Sequence, residues 1–220
     1  MADKELLGDA PATARFPQFR DRIYQMVTAE VSGLTGEQLD FESDRWEWSK
    51  WSIRRNLSHM ASGDVRWLWV RWGAQLFPDG LPNGEELDRL MASPHDRRLD
   101  EDLYWEPEAI LEKMRLGLDL CQRVLAAETV DSLRRKVIEG GSSGLFGQYP
   151  QLFPGGLLPD AQDPSKVSIT LEATFLHRYY EYLTHLFNIQ RLKRAQGLTA
   201  VVEIPLEGYW SMPDWDRSEP

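Results

Sequence analysis

The chain has 220 residues, of which 42% are hydrophobic, and its formal net charge at pH 7 is −10. This size allows one globular domain with a sizeable core, and we predict a single domain over residues 1–220. The acidic balance argues against nucleic acid and anionic membranes as partners, because both require clustered Lys and Arg. Neither a secretory leader nor a run of roughly 18 apolar residues is recognisable, so we expect a cytoplasmic protein.

Apolar residues recur at helical spacing in four segments, whereas strand patterns are scarce. The predicted helices cover residues 15–32, 52–76, 107–127 and 168–196. Ser49 or Ser52 can cap the second helix, and Pro107 fits the first turn of the third. Gly33 and Gly197 follow the first and fourth helices as stop signals. We therefore predict an all-α fold.

Two long connections constrain how these helices are arranged. About 30 residues separate the second and third helices, and about 40 separate the third and fourth. Long connections allow neighbouring helices to run parallel, so we predict a four-helix bundle with long crossover loops. Residues 198–220 are expected to form an extended tail with a short extended piece at residues 201–204. A homodimer is compatible with such a bundle.

The fourth helix contains the sequence HRYYEYLTH, in which His177, Glu181 and His185 are spaced four residues apart. Residues at this spacing have β-carbons about 5 to 6 Å apart, so Glu181 and one histidine can bind the same ion. His177 and His185 are about 12 Å apart along the helix axis, too far for one ion to bind both. The residues alone leave two interpretations, a metal site or the half-exposed polar face of a helix.

A further histidine ligand would have to come from His59 or His95, since the chain contains four histidines. His95 lies among charged residues in a loop that contains proline, which indicates plain surface. His59 flanks the apolar stripe of the second helix. Gly63, one turn later, leaves room beside its imidazole. His59 is therefore the better candidate for a metal ligand.

Leu34, Glu37 and Leu39 form a Leu-x-x-Glu-x-Leu phrase, and Trp51, Ser52 and Ile53 form a Trp-Ser-Ile phrase before His59. This order resembles the start of DinB-like proteins, in which the two phrases lead to a metal-binding histidine. The last helix of the family reads His-x-x-x-His, with Gln three residues later and Gly about twelve residues later. By this register His185 takes the second histidine position, Asn188 the Gln position and Glu181 the first histidine position.

The resemblance implies an up-down-down-up four-helix bundle with a divalent transition metal at one end. It implies His59, Glu181 and His185 as the ligands, since a carboxylate can replace an imidazole. Zinc, nickel, iron and manganese all suit this ligand set. His177 and Asn188 are then expected to line the pocket or to contact the ligands from behind.

Two tryptophans, Trp46 and Trp48, lie in the loop before the second helix. We interpret them as packing residues or, alternatively, as the lining of a pocket mouth.

The family resemblance also implies metal-dependent transferases that use a low-molecular-weight thiol and act on a small molecule. We predict a thiol-dependent S-transferase, in which an open metal position binds the thiol as a thiolate and a small electrophile is attacked. The sequence identifies no catalytic side chain, and this chemistry requires no protein nucleophile. The alternative is a non-catalytic DinB-like protein that binds a metal or a small ligand.

Two side chains other than the histidines suggest nucleophilic catalysis. Cys121 has helical spacing from Leu118 and Leu125, so we interpret it as a core residue. Ser142 lies in a Gly-x-Ser-x-Gly pattern, which supports catalysis only between a strand and a helix. The residues that follow do not predict a helix, and we interpret residues 140–144 as a loop.

Overall fold

The computed structural model describes residues 8–141, 144–163 and 165–220, and most of these are helical. The α-helices in these ranges are α1 (Ala12–Arg15), α2 (Arg22–Val31), α3 (Gly36–Asp40), α4 (Ile53–Val65), α5 (Gly73–Leu76), α6 (Gly84–Met91), α7 (Pro107–Ala127), α8 (Val130–Arg135), α9 (Gly144–Gln148) and α10 (Leu171–Ala195). A π-helical segment, Arg66–Arg71, joins α4 to the short α5. Turns of 3-10 helix occur at Pro17–Phe19, Glu47–Ser49, Pro150–Leu152 and Tyr209–Ser211.

A small sheet corrects the all-α prediction. Its strands are β1 (Val137–Gly141), β2 (Leu157–Pro159) and β3 (Lys166–Thr170), which pair antiparallel in the order β1-β3-β2. The first predicted turn of the last helix belongs instead to β3. Val167 and Ile169 are buried there while Lys166 and Ser168 are not, which is the two-residue period of a strand. Both buried residues are β-branched, and this favours the strand over the helix.

The observed helix boundaries differ from the predicted ones where local chemistry intervenes. α7 coincides with the predicted helix over residues 107–127. The first predicted helix is interrupted because Pro17 has no amide N–H and starts a 3-10 turn, so α2 begins only at Arg22. α4 begins after Ser52, whose hydroxyl accepts a hydrogen bond from the Arg55 amide. α10 begins after Thr170, which caps it in the same way.

α4 and α10 position the polar residues of interest. α4 packs against α7 and α10, and α2 also contacts both of these helices. Every residue of α4 except Arg55 is buried, and α10 is buried around most of its circumference. Polar side chains on the two helices are therefore forced into the interior, where each needs a partner to offset the loss of hydration.

The C-terminal residues return to the helices. Residues 198–208 contain neither helix nor strand, so the predicted extended piece at residues 201–204 forms no strand. Tyr209 is fully buried. Among the described residues, no helix has the length and apolar character that a membrane span requires.

Candidate metal centre

His59 of α4 faces Glu181 and His185 of α10 in the interior. One potential ligand atom from each residue lies within 4.8 Å of the other two. His59 Nε2 is 3.0 Å from Glu181 Oε2, and His185 Nε2 is 3.8 Å from the same oxygen. The three side chains are only 8%, 13% and 13% exposed, respectively. The structure thus brings together the three residues that the resemblance implied as ligands.

A hydrogen bond on the far side of the His59 ring fixes its tautomer. The backbone carbonyl of Arg97 lies 2.9 Å from Nδ1 of His59 and also accepts a hydrogen bond from the Ser62 hydroxyl. A carbonyl oxygen can only accept, so Nδ1 must carry a proton. A neutral imidazole has one N–H, so Nε2 would then present a lone pair to the Glu181 carboxylate. This arrangement requires either a second proton or a cation at Nε2.

His185 is oriented in the same way by Asn56. Nδ1 of His185 is 2.7 Å from Oδ1 of Asn56. The amide nitrogen of Asn56 donates to the carbonyls of Trp51 and Ser52, so its oxygen must face the histidine. Nδ1 of His185 is therefore the protonated nitrogen. Its Nε2 directs a lone pair toward Glu181.

The ionisation states in the cluster match those of a ligand set. Burial, together with the neighbouring His59, lowers the pKa of His185 to about 3, so its ring is neutral at pH 7. Burial alone would raise the pKa of Glu181. The hydrogen bond with His59 and the nearby histidines outweigh burial, and they hold this pKa well below its usual range. Metal ligation requires such a neutral imidazole and an ionised carboxylate.

An ion pair beside the cluster was not predicted from the sequence. Arg178 Nε donates to Asp64 Oδ1 at 2.8 Å, and Tyr182 donates to the other carboxylate oxygen at 2.7 Å. Arg178 also lies 3.8 Å from Glu181. A β-carbon at Gly63 would lie only 2.1 Å from the Arg178 guanidinium. Gly63 therefore makes room for Arg178, which corrects the prediction that it makes room for an imidazole.

His177 lies outside the ligand group, in a cavity that His59 and Glu181 also line. Its Nδ1 is 2.6 Å from the Tyr209 hydroxyl, and burial lowers its pKa to about 4. The cavity has a volume of about 420 Å³, within the range of small-molecule sites. Its walls include His59, Glu181 and His177 together with the π-helical segment.

Asn188 makes a contact other than the one expected from the sequence. Asn188 accepts a hydrogen bond from Arg191 at 2.5 Å, whereas it is Asn56 that contacts His185.

Trp46 and Trp48 stack on one another with ring centroids 5.0 Å apart, and Trp48 donates a hydrogen bond to Ser218. Trp51 is the tryptophan beside the cluster. Its ring centroid lies 5.4 Å from that of His59 and 6.3 Å from that of His185. The sequence offered one signal for Trp51, its position in the family-like Trp-Ser-Ile phrase.

Neither alternative nucleophile gains support. Cys121 is fully buried, as predicted, and burial raises the pKa of its thiol well above the usual value. Ser142 lies outside the described residues. The pattern around it is preceded by β1 and followed by α9, so the prediction that no helix follows is wrong. β1 is an edge strand of an antiparallel sheet, whereas the strand before a hydrolase elbow belongs to an α/β sheet.

Comparisons of the chain with protein-family models, with curated proteins and with solved structures found no match. The DinB-like resemblance therefore stays a prediction, and function must be argued from the geometry of the site.

Proposed function

We propose that the chain is a DinB-like domain whose four long helical regions form an up-down-down-up bundle. α2, α4, α7 and α10 would be the four members. The contacts of α4 with α7 and α10, and of α2 with the same two helices, support this arrangement. The long connections that precede α7 and α10 support it as well, because parallel neighbours need such crossovers.

We further propose that His59, Glu181 and His185 bind one divalent transition metal ion, with zinc, nickel, iron and manganese as the candidates. One observation carries this proposal. Both imidazoles donate from Nδ1 to an oxygen acceptor and direct Nε2 at one buried carboxylate oxygen. Metal-binding histidines are held in this manner by acceptors behind the ring. A cation at this point satisfies both lone pairs and the carboxylate together.

The proposed activity is the transfer of a low-molecular-weight thiol to a small electrophile. In this reaction the sulfur electron pair forms a bond to carbon, the bond to the leaving group breaks, and the thiol proton is released to solvent. When bound, the metal would lower the pKa of a coordinated thiol, so that the thiolate predominates near neutral pH.

The chain's own residues would orient and enclose the reactants. Asn56 and the Arg97 carbonyl hold the two imidazoles in place, and Trp51 covers one side of the rings. The cavity beside Glu181 gives the electrophile a place to bind. No side-chain nucleophile is needed, which agrees with the buried state of Cys121.

A thiol-transfer assay tests this proposal. Metal-loaded protein would be incubated with a panel of thiols and 1-chloro-2,4-dinitrobenzene, and product would be followed by absorbance. We expect activity with at least one thiol, reduced about 100-fold or more in His59→Ala and His185→Ala because each removes a ligand. His95→Ala, which changes a histidine outside the cluster, should retain full activity.

The competing interpretation is a non-catalytic protein that holds a metal or a small ligand. Metal-loaded protein that is inactive with every thiol would contradict the transferase proposal and support this second interpretation.

A further inference from the structure

The cavity beside the metal centre carries an unusual concentration of positive charge. Its lining residues include Arg66, Arg71, Arg97 and Arg178. The whole chain has ten more acidic than basic residues, since 35 Asp and Glu stand against 25 Lys and Arg. The four arginines therefore form a positively charged region in an acidic protein. They differ in whether a carboxylate lies close enough to pair with them.

Two of the four arginines are paired with a carboxylate. Arg178 forms a buried ion pair with Asp64 at 2.8 Å. Arg97 is largely exposed and lies 3.0 Å from Asp96.

The other two, Arg66 and Arg71, are not paired in the part of the chain that the structure describes. Arg66 has no ion pair there, and its Nε is buried without a hydrogen-bond partner. Arg71 makes one hydrogen bond, to the Glu139 backbone carbonyl at 3.3 Å, and its guanidinium lies over the Trp67 ring at 4.0 Å. Partial burial lowers the pKa of both side chains, yet arginine stays charged at neutral pH. Arg66 is half-buried and Arg71 is more exposed, and neither forms an ion pair among the described residues, although the charge of Asp96 acts on Arg66 from farther away.

The local backbone explains why both face one cavity. Arg66 and Arg71 are the first and last residues of the π-helical segment. In an α-helix, residues five apart point in widely different directions, at 100° per residue. The π-helix bonds each residue to the fifth one along and so turns both ends toward the same side. Such segments are rare and are frequently found at functional sites.

Part of the cavity wall is apolar. It is formed by Trp67, Leu145, Phe146 and Ile169. A ligand that fits this wall has an apolar or aromatic body and one anionic group. Arginine recognises carboxylate through paired, charge-assisted hydrogen bonds.

We propose that Arg66 and Arg71 form a subsite for the carboxylate of a small organic reactant, whose apolar body extends along Trp67 and Phe146 toward Glu181. The role of the ligand as a reactant rests on the proposed function, whereas its binding to the two arginines does not. The carboxylate could belong to the electrophile or to the thiol. Both sources share the chemistry that the two arginines recognise.

Equilibrium binding tests the subsite without any catalysis. Benzoate and its neutral analogue benzamide would be titrated into wild-type protein by calorimetry. We expect benzoate to bind at least about tenfold more tightly than benzamide, because a charge-assisted hydrogen bond adds this much or more. Arg66→Met and Arg71→Met should each abolish this preference. Arg123→Met, which removes the same charge from an exposed position on α7, should keep it.

The variant Arg66→Gln and the unfolding midpoint of each variant show whether a loss of benzoate binding is caused by a folding defect. A folded Arg66→Gln protein that still prefers benzoate as the wild type does would overturn the subsite. Equal binding of benzoate and benzamide to wild-type protein would overturn it as well.

A kinetic comparison assigns the carboxylate to one reactant. In the thiol-transfer assay, 4-chloro-3-nitrobenzoate would be compared with its carboxamide, and glutathione with cysteamine. If Arg71→Met lowers kcat/KM only for the carboxylate-bearing electrophile, the subsite binds the electrophile. If it lowers kcat/KM only for glutathione, the subsite binds the thiol. If benzoate binding depends on the arginines while no thiol reacts, the subsite stands and the transferase proposal fails. If the wild type is an active transferase and Arg71→Met has the same kcat/KM for every reactant, the subsite proposal fails and the transferase proposal stands.

Discussion

Two buried carboxylates, one on α2 and one on α10, have very different surroundings. Glu30 is fully buried and accepts hydrogen bonds from Lys193 at 2.5 Å, from Gln190 at 3.0 Å and from the backbone amides of Val201 and Val202. Glu181 has one close partner, His59, and longer contacts to His185 and Arg178 at 3.8 Å. The first cluster is closed, whereas the second is open on the side of the cavity.

This difference distinguishes a structural cluster from the proposed metal site. The Glu30 cluster joins α2, α10 and the C-terminal tail, and its hydrogen-bonding capacity is used by the protein itself. In the Glu181 cluster, the Nε2 atoms of two imidazoles point at a carboxylate whose hydrogen-bonding capacity the protein does not fill. A buried polar group in a folded protein normally finds its partners, so the less complete cluster is the better candidate for binding a ligand.

The largest effect in this comparison should come from Glu30→Ala. It leaves the Lys193 ammonium buried without its counter-charge, and breaking a buried pair in this way costs about 3 to 5 kcal/mol. Glu181→Ala in metal-free protein should cost less, because the nearby Arg178 keeps Asp64 as its counter-charge. Urea unfolding of both metal-free variants gives the two free energies. Equal losses would contradict the division into a closed and an open cluster.

The next largest effect is the pH dependence of stability. The pKa of His177 falls from the ordinary 6.5 to about 4 on folding, so only the unfolded chain binds this proton between those values. The free energy of unfolding of metal-free protein should therefore fall as pH drops from about 6.5 to 4, by up to roughly 1.4 kcal/mol per pH unit for this residue. Unfolding of wild type and His177→Gln at several pH values measures this slope. An equally steep slope in the variant would rule out His177 as a contributor.

A pair of asparagines tests how the imidazole is held. Asn56→Ala should weaken metal affinity by about 10- to 100-fold, because Asn56 fixes the tautomer and orientation of His185. Asn188→Ala is the matched control and should leave the affinity unchanged, because its amide contacts Arg191. Competition with a fluorescent chelator gives both affinities. A reversal of the two results would show that the sequence-based assignment of Asn188 is right.

The smallest predicted effect concerns the charge of the ligand set. Glu181→His should keep the metal and should lower the pH midpoint of thiol transfer, because a neutral ligand leaves more positive charge on the ion. A pH–rate profile of the metal-loaded variant measures this midpoint. An unchanged midpoint would mean that Glu181 does not contact the ion.

The sequence predicted what depends on local periodicity. The span of α7 follows from its apolar spacing and from Pro107 at its start. The trio of His59, Glu181 and His185 was implied by the family resemblance. Helical spacing alone showed only that Glu181 can share an ion with one of two histidines, His177 or His185.

Features that depend on tertiary contacts could not be predicted in this way. The Arg97 carbonyl is a backbone atom with no sequence signature, yet it sets the tautomer of His59. β3 forms because β1 and β2 lie on either side of it, and no local pattern discloses those partners. The π-helical segment likewise interrupts a sequence with an ordinary helical pattern, so the convergence of Arg66 and Arg71 is visible only in the structure.

The metal content of protein purified without a histidine tag tests the central claim most directly. Elemental analysis by mass spectrometry would be carried out on wild type, His59→Ala, His185→Ala and His177→Ala. We predict about one divalent transition metal ion per chain in wild type and in His177→Ala, and little in the two ligand variants. Equal metal content in wild type and both ligand variants, or wild-type protein that stays free of metal after loading with zinc, nickel, iron or manganese, would contradict the account.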